Sequence, residues 1–279
     1  IKSSYEEIYN YELYTEFKSL GADIIISPYN CKYHAKWALV MFHHNNTARQ
    51  QDIALLSTGN WNETHARNYS DLTLITVTTT IVSDLKKLYS ALKYGNDISD
   101  RKLSSLLISK ANLYTELMSI IDNLINKSHS GEKTSIFLKV NELNFKPIID
   151  KLLEASRAGV KIDACVRTSS LLYSQKNISV FSILGRFLEH SRIFCFYCEN
   201  ENPKLYLSSS DLKPKSFKRR QEMAFPIYDD TCRDYIFNLI DLYTNESISR
   251  FIIDKNSSLR YVKGLSLHNY LTKNHKEIE

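Results

Sequence analysis

The chain has 279 residues, 43% of them hydrophobic and 24% charged, with a formal net charge of +5, values of a globular protein long enough for two domains, each with its own core. No apolar run approaches the ~18 residues that cross a bilayer, and no signal-peptide pattern opens the chain. Seven glycines, none in a GxGxxG or GxxxxGKS/T arrangement, exclude a Rossmann turn or P-loop as the holder of a nucleotide.

In chain order, apolar and β-branched runs predict strands over residues 23–27, 37–42, 53–56 and 72–77. Ile81, Leu85, Leu88 and Leu92 then share one helical face, as do Leu113, Leu117, Ile120, Ile121 and Leu124. A strand over 134–140 precedes a helix marked by Pro147 near its start and Gly159 beyond its end. Strands over 161–166, 178–183, 192–198 and 205–208 lead to an apolar helix around 235–243. Both halves read as α/β, with a first domain over 1–103, a second over 104–255 and a loosely ordered polar tail over 256–279.

Five cysteines, Cys31, Cys165, Cys195, Cys198 and Cys232, are an odd number without disulfide-framework spacing, which fits a reducing, cytoplasmic setting. Cys195 and Cys198 have CxxC spacing, but they lie in an aromatic strand-like run with no second pair, so core filling is the expectation.

Two segments repeat one arrangement. His34-Ala35-Lys36 is followed by Ser57-Thr58-Gly59-Asn60, and His190-Ser191-Arg192 by Ser208-Ser209-Ser210-Asp211. His and Ser are 23 residues apart in the first copy and 18 in the second, which is the mark of an internal duplication. An imidazole that attacks an anionic phosphate needs a neighbouring cation and hydrogen-bond donors, so two such half-sites face to face would make one phosphoryl-transfer centre. Lys213, Lys215, Lys218, Arg219 and Arg220 follow the second copy directly. Such a run is ordinarily a solvated loop, but beside a phosphate site it can guide a polyanion.

Several stretches carry a resemblance: His34-Ala35-Lys36, the run from Leu56 to Glu63, the run from Ala66 to Leu72, the run from Ala155 to Asp163, Val166-Arg167, and the run from Gly185 to Arg192. Together, and in order, they resemble the C-terminal catalytic half of the bacterial polyphosphate kinase family. The resemblance implies two phospholipase D-like domains, each a mixed sheet flanked by helices and duplicated. It further implies reversible transfer of the ATP γ-phosphate to inorganic polyphosphate, with Mg2+, through a phosphohistidine.

Carried over by residue, His34 matches the phosphorylated histidine and His190 the second active-site histidine, an acid or a stabiliser of the transferring group. Tyr69 and Arg167 match nucleotide-contacting positions, and Lys36, Asn60, Arg67 and Arg192 are assigned to phosphate oxygens. His43, His44, His65, His129, His268 and His275 have no comparable context and read as surface residues. Similar enzymes are homo-oligomers that associate peripherally with membranes, and no nucleic-acid partner is expected.

Two rival readings remain. A phospholipase D-type phosphodiesterase uses HxKxxxxD, and here Met41 and Tyr197 stand where the acids belong. A non-catalytic polyanion-binding module is opposed by the intact His34 and His190. The family also carries arginine-bearing elements ahead of the nucleophile, and residues 1–30 contain no arginine. The expectation is a fragment of a longer enzyme that binds phosphate between the histidines but turns over slowly alone.

Overall fold

A computed structural model describes residues 7–26, 32–42, 51–255 and 258–274. The first part contributes α1 (Glu7–Ser19), β1 (Lys32–Tyr33), β2 (Lys36–Val40), β3 (Ile53–Ser57), α2 (Glu63–Asn68), β4 (Thr73–Thr76) and α3 (Thr79–Tyr94). Strands β2, β3 and β4 form an antiparallel sheet in that order. The predicted helical face of α3 is buried through Ile81, Leu85 and Leu88. Of the predicted strand over 23–27, Ser27 lies outside the described residues and 23–26 form no strand; Ile26 is exposed.

The rest of the chain supplies β5 (Leu107–Ile108), α4 (Leu113–His129), β6 (Thr134–Leu143), α5 (Lys146–Arg157), β7 (Lys161–Ser170), β8 (Ile178–Ser182), β9 (Arg192–Cys198) and β10 (Lys204–Ser208). There follow α6 (Pro214–Lys218), β11 (Arg220–Gln221), β12 (Met223–Pro226), α7 (Asp230–Thr244), β13 (Arg250–Ile253), β14 (Leu259–Val262) and α8 (Leu267–Asn274). Nine of these strands form one sheet in the order β14-β13-β8-β7-β6-β9-β10-β12-β5. It is mixed: β6–β7 and β7–β8 are parallel, the other pairs antiparallel. Helix α5 begins with Pro147 in its first turn and is followed by Gly159 at φ 107°, a left-handed conformation that glycine adopts without penalty.

Strand alternation sorts the central sheet into two layers of core. Ile136, Leu138 and Val140 of β6 join the helical faces of α4 and α5, while Phe137 points to the opposite side. Cys195 and Cys198 obey the same rule. Their odd spacing along β9 sends them into different core layers, and burial pushes the Cys195 thiol up to about 12, as a packing residue rather than half of a redox or metal pair.

Separate cores for the two halves were expected from length; of the two buried clusters, one lies wholly in the second half and the other spans both. A single cluster joins Leu56, Ile81 and Leu85 of the first half to Phe225, Leu239 and Tyr243 of the second. Two short pairings add to the junction: β1 runs parallel to β11, and Tyr69 bridges Leu188. The expected loose tail is also corrected: β14 pairs with β13, and α8 buries Leu267 and His268. Apolar Leu267 and the inward partners of His268 supply what a merely polar tail would lack.

Candidate active site

His34 lies between β1 and β2, where its own N–H and that of Ala35 both donate to the Gln221 carbonyl at 2.9 Å. Its Nδ1 is 2.8 Å from Glu222 Oε2, and the same oxygen accepts from Ser209 Oγ at 2.7 Å. An ionised carboxylate only accepts, so the His34 proton belongs on Nδ1 and the Nε2 lone pair is free. Burial lowers the His34 pKa, and Glu222 opposes this only in part. Lys36 donates from Nζ to the His34 carbonyl at 2.6 Å. Burial brings its ammonium down to about 8.

His190 mirrors this arrangement. Its Nδ1 is 2.8 Å from Asp71 Oδ2, while Thr58 Oγ1 donates to Asp71 Oδ1 at 2.7 Å. Burial pushes the Asp71 carboxyl up, but the hydrogen bonds from His190 and Thr58 and the charge of Arg192 outweigh it and hold the group low. Gly59 is required by this packing: a Cβ there would stand 1.9 Å from Asp71 Oδ2. Burial also lowers the His190 pKa, with Asp71 opposing. Arg192 depresses both imidazoles, which places His34 and His190 within the field of one guanidinium.

Behind His190 lies a buried polar hub. Glu189 accepts from Tyr243 Oη at 2.6 Å, from His268 Nε2 at 2.6 Å and from Ser70 Oγ at 2.9 Å, and it pairs with Lys139 Nζ at 2.8 Å. Since Phe187 N–H donates to His268 Nδ1, the His268 proton sits on Nε2, toward Glu189. Ser70–Glu189 and Asp71–His190 are therefore consecutive rungs between the halves. His268, expected on the surface, is 3% exposed because a carboxylate this deep needs donors on every side.

The remaining predicted residues divide. Tyr69 lies beside His190, ring centroids 5.1 Å apart. Arg167 lowers the His190 pKa and is itself lowered, first by burial and then by Arg192; its Nη1 is shut off from solvent without a partner. Asn60 is exposed, with Nδ2 3.5 Å from His65 Nε2. Arg192 is brought to the site, but Nε and Nη2 of its fork are held by Asp211 at 3.2 and 3.3 Å. Arg67 is not gathered in: it pairs with Glu63 on the exposed side of α2. Of the basic run, Lys213 pairs with Glu142 and Arg220 with Glu222, leaving Lys215, Lys218 and Arg219 exposed.

Asp71 and Glu222 escaped the reading of the motifs, as did the hub around Glu189. A signal was present for the first two, since each acid stands eleven residues after the last residue of its Ser-rich element. Nothing local marks His268.

For a metal, the described residues offer one cluster of three candidate ligands, His65, Asp71 and His190. Two imidazoles and one carboxylate do not suit Mg2+, which asks for oxygen ligands in octahedral array.

The fold and the paired imidazole–carboxylate units define a mixed α/β protein; a phosphatidylserine synthase from Haemophilus influenzae shares the fold at 10% identity, with a TM-score of 0.50 over 81% of this chain and 67% of its own. The family model for polyphosphate kinase C-terminal domain 2 matches residues 106–270, and that for C-terminal domain 1 matches residues 1–97. The chain belongs to the polyphosphate kinase family. It is 32% identical to a polyphosphate kinase of Yersinia pestis over 94% of this chain and 38% of that protein. With a polyphosphate kinase of Dictyostelium discoideum it is 32% identical over 88% of this chain and 24% of the relative. The crystal structure of polyphosphate kinase from Porphyromonas gingivalis superposes with a TM-score of 0.86 at 33% identity, covering 95% of this chain and 42% of that one. The chain therefore spans roughly a quarter to two fifths of the length of these relatives. No described helix is long and apolar enough to cross a membrane.

Proposed function

We propose that this chain is the catalytic region of a polyphosphate kinase, which moves the γ-phosphoryl group of magnesium-bound ATP to the end of an inorganic polyphosphate chain, and back, through His34. The observation that carries this reading is the His34–Glu222 contact at 2.8 Å, which leaves Nε2 unprotonated. Its lone pair attacks the γ-phosphorus, the bond to the bridging oxygen breaks, and ADP leaves with that electron pair. The terminal oxygen of polyphosphate then attacks the same phosphorus, and the N–P pair returns to the ring.

Positive charge grows on the imidazole as the N–P bond forms, and Glu222 stabilises it through Nδ1–H. Lys36 and Arg167 are the cations that would neutralise the phosphate oxygens, in keeping with a reaction that asks mainly for positioning and charge neutralisation. His190, oriented by Asp71, acts on the opposite side as acid or stabiliser, and Tyr69 offers a ring to the nucleotide base. Lys215, Lys218 and Arg219, exposed next to the strand that meets β1, supply an electropositive approach for polyphosphate.

Incubation with γ-labelled ATP tests the reading. The expected outcome is an acid-labile, alkali-stable label on the protein, absent in His34→Ala; in His190→Ala labelling continues but slows on the order of 10²–10⁴-fold. Undiminished label in His34→Ala overturns the assignment, and cleavage of a phosphodiester without protein labelling favours the phospholipase D-type alternative.

A further inference from the structure

His65 stands apart from the transfer chemistry, yet it belongs to the tightest group of ligating atoms among the described residues. One atom each from His65, Asp71 and His190 lie within 4.8 Å of one another. His65 Nδ1 is excluded from solvent and has no hydrogen-bond partner. It points at Asp71, with Oδ2 3.9 Å away, and His190 Nδ1 reaches the same carboxylate oxygen from the other side at 2.8 Å. A buried ring nitrogen without a partner normally costs free energy, so its survival here asks for an occupant.

The geometry suits an ion. Tetrahedral zinc, with bonds of about 2.0–2.1 Å, sets its ligand atoms about 3.3 Å apart. The two observed separations bracket that value, so small side-chain rotations would close the site. The rings are already oriented. The His65 backbone N–H donates to the Asn62 cap at 2.9 Å, its ring lies against Tyr69 at 4.1 Å, and it meets His190 edge-on at 5.7 Å. A ligating imidazole needs an acceptor for its other N–H. Asn60, exposed and 3.5 Å from His65 Nε2, provides one when its amide turns to present Oδ1.

We propose that His65, Asp71 and His190 form a binding site for a divalent transition-metal ion of the zinc class. Two imidazoles and a single carboxylate are borderline-soft donors, which select zinc, cobalt or nickel over magnesium and calcium. On binding, the His190 proton moves from Nδ1 to Nε2, which requires the Arg192 Nη1 now 3.3 Å from Nε2 to turn aside, and Asp71 exchanges its hydrogen bond to His190 for a bond to the metal. The site is thus chemically separate from the magnesium carried by a nucleotide, although it draws on two residues of the transfer centre. It stands independently of whether that centre makes polyphosphate.

Calorimetric titration of the 279-residue chain with zinc chloride, with cobalt absorption as a coordination probe, tests this. One ion should bind per chain, magnesium at equal concentration should not displace it, and His65→Gln should weaken binding at least about 10-fold. His34→Gln should bind as wild type. His65→Gln keeps the backbone N–H that the Asn62 cap uses, and circular dichroism checks its fold. As a second readout, ring-proton resonances of both His65 and His190 should shift on zinc addition to the wild type. Absence of saturable binding, unchanged affinity in His65→Gln, or zinc shifts confined to other histidines would overturn the proposal.

Discussion

Asp71 and Glu222 hold the same place in the two repeats, and each grips the histidine of the opposite half: Glu222 meets His34, and Asp71 meets His190, both at 2.8 Å. The exchange is reciprocal. Neither His34 nor His190 finds its orienting acid within its own half.

Replacing either acid by its amide tests the arrangement. Glu222→Gln should slow the proposed phosphorylation of His34 by on the order of 10²-fold or more, since the carboxylate charge is lost and the amide can turn a donor toward Nδ1. The pH profile should move as well. In the proposed transfer His34 attacks when neutral, and Glu222 raises its pKa; without that charge the pKa falls further, so the acid limb should shift to lower pH while the plateau drops. A single-turnover pH–rate series reads both effects, and an acid limb moved upward would contradict the pairing.

Lys36 predicts the alkaline side. With its pKa brought down to about 8, the ammonium loses its charge as pH rises through that value, and transfer should decline there. Lys36→Arg, whose guanidinium stays charged, should abolish that decline even if the maximal rate falls. Persistence of the same limb in the variant would assign it to another group.

The hub around Glu189 predicts a stability effect. Lys139→Met leaves a buried carboxylate without its cation and should cost about 3–5 kcal/mol in urea unfolding, while Lys139→Met combined with Glu189→Leu should cost less than that single change. The hub holds the Glu189 pKa well below the ordinary carboxylate range through Lys139, His268 and Tyr243, against its burial. Its contribution to stability is therefore complete above about pH 4.3, the unfolded value, and is lost as the pH falls toward the folded one. Equal losses in the single and double variants would argue against the ion pair.

Gly59→Ala should destabilise by about 1–3 kcal/mol, because the added methyl must displace the Asp71 carboxylate. His190 should lose its orienting acceptor with it. A near-neutral substitution, judged by thermal unfolding and by His190 ring-proton shifts, would mean that Asp71 has somewhere else to go.

Much of this was legible in the sequence because the signals were local. Helix α5 announced itself by Pro147 and Gly159, β9 by its run from Arg192 to Cys198, and the histidines by duplication. What escaped depends on distant pairing. Asp71 and Glu222 look like ordinary surface acids until the halves close, and His268 gains its meaning only through a carboxylate 79 residues away. The cluster that spans both halves escaped for the same reason: the apolar faces of β3 and α7 show that each is buried, but not that both join one cluster. Arg67, in contrast, sat inside a resembling motif and yet pairs outward with Glu63, since its position on α2 turns it from the imidazoles.

The late position of α8 has a consequence for biosynthesis. His268 fills the space beside Gly185, where even a Cβ would meet its ring at 2.2 Å, and it completes the donors of Glu189. A nascent chain that has just exposed residue 189 lacks this wedge, and at about 5–20 residues per second the ribosome needs about 4–16 s more to deliver it. During that interval the segment carrying His190 has a buried acid short of one partner and a backbone amide without its acceptor. The surroundings of His190 are thus complete only once a residue 79 positions further along the chain has joined them.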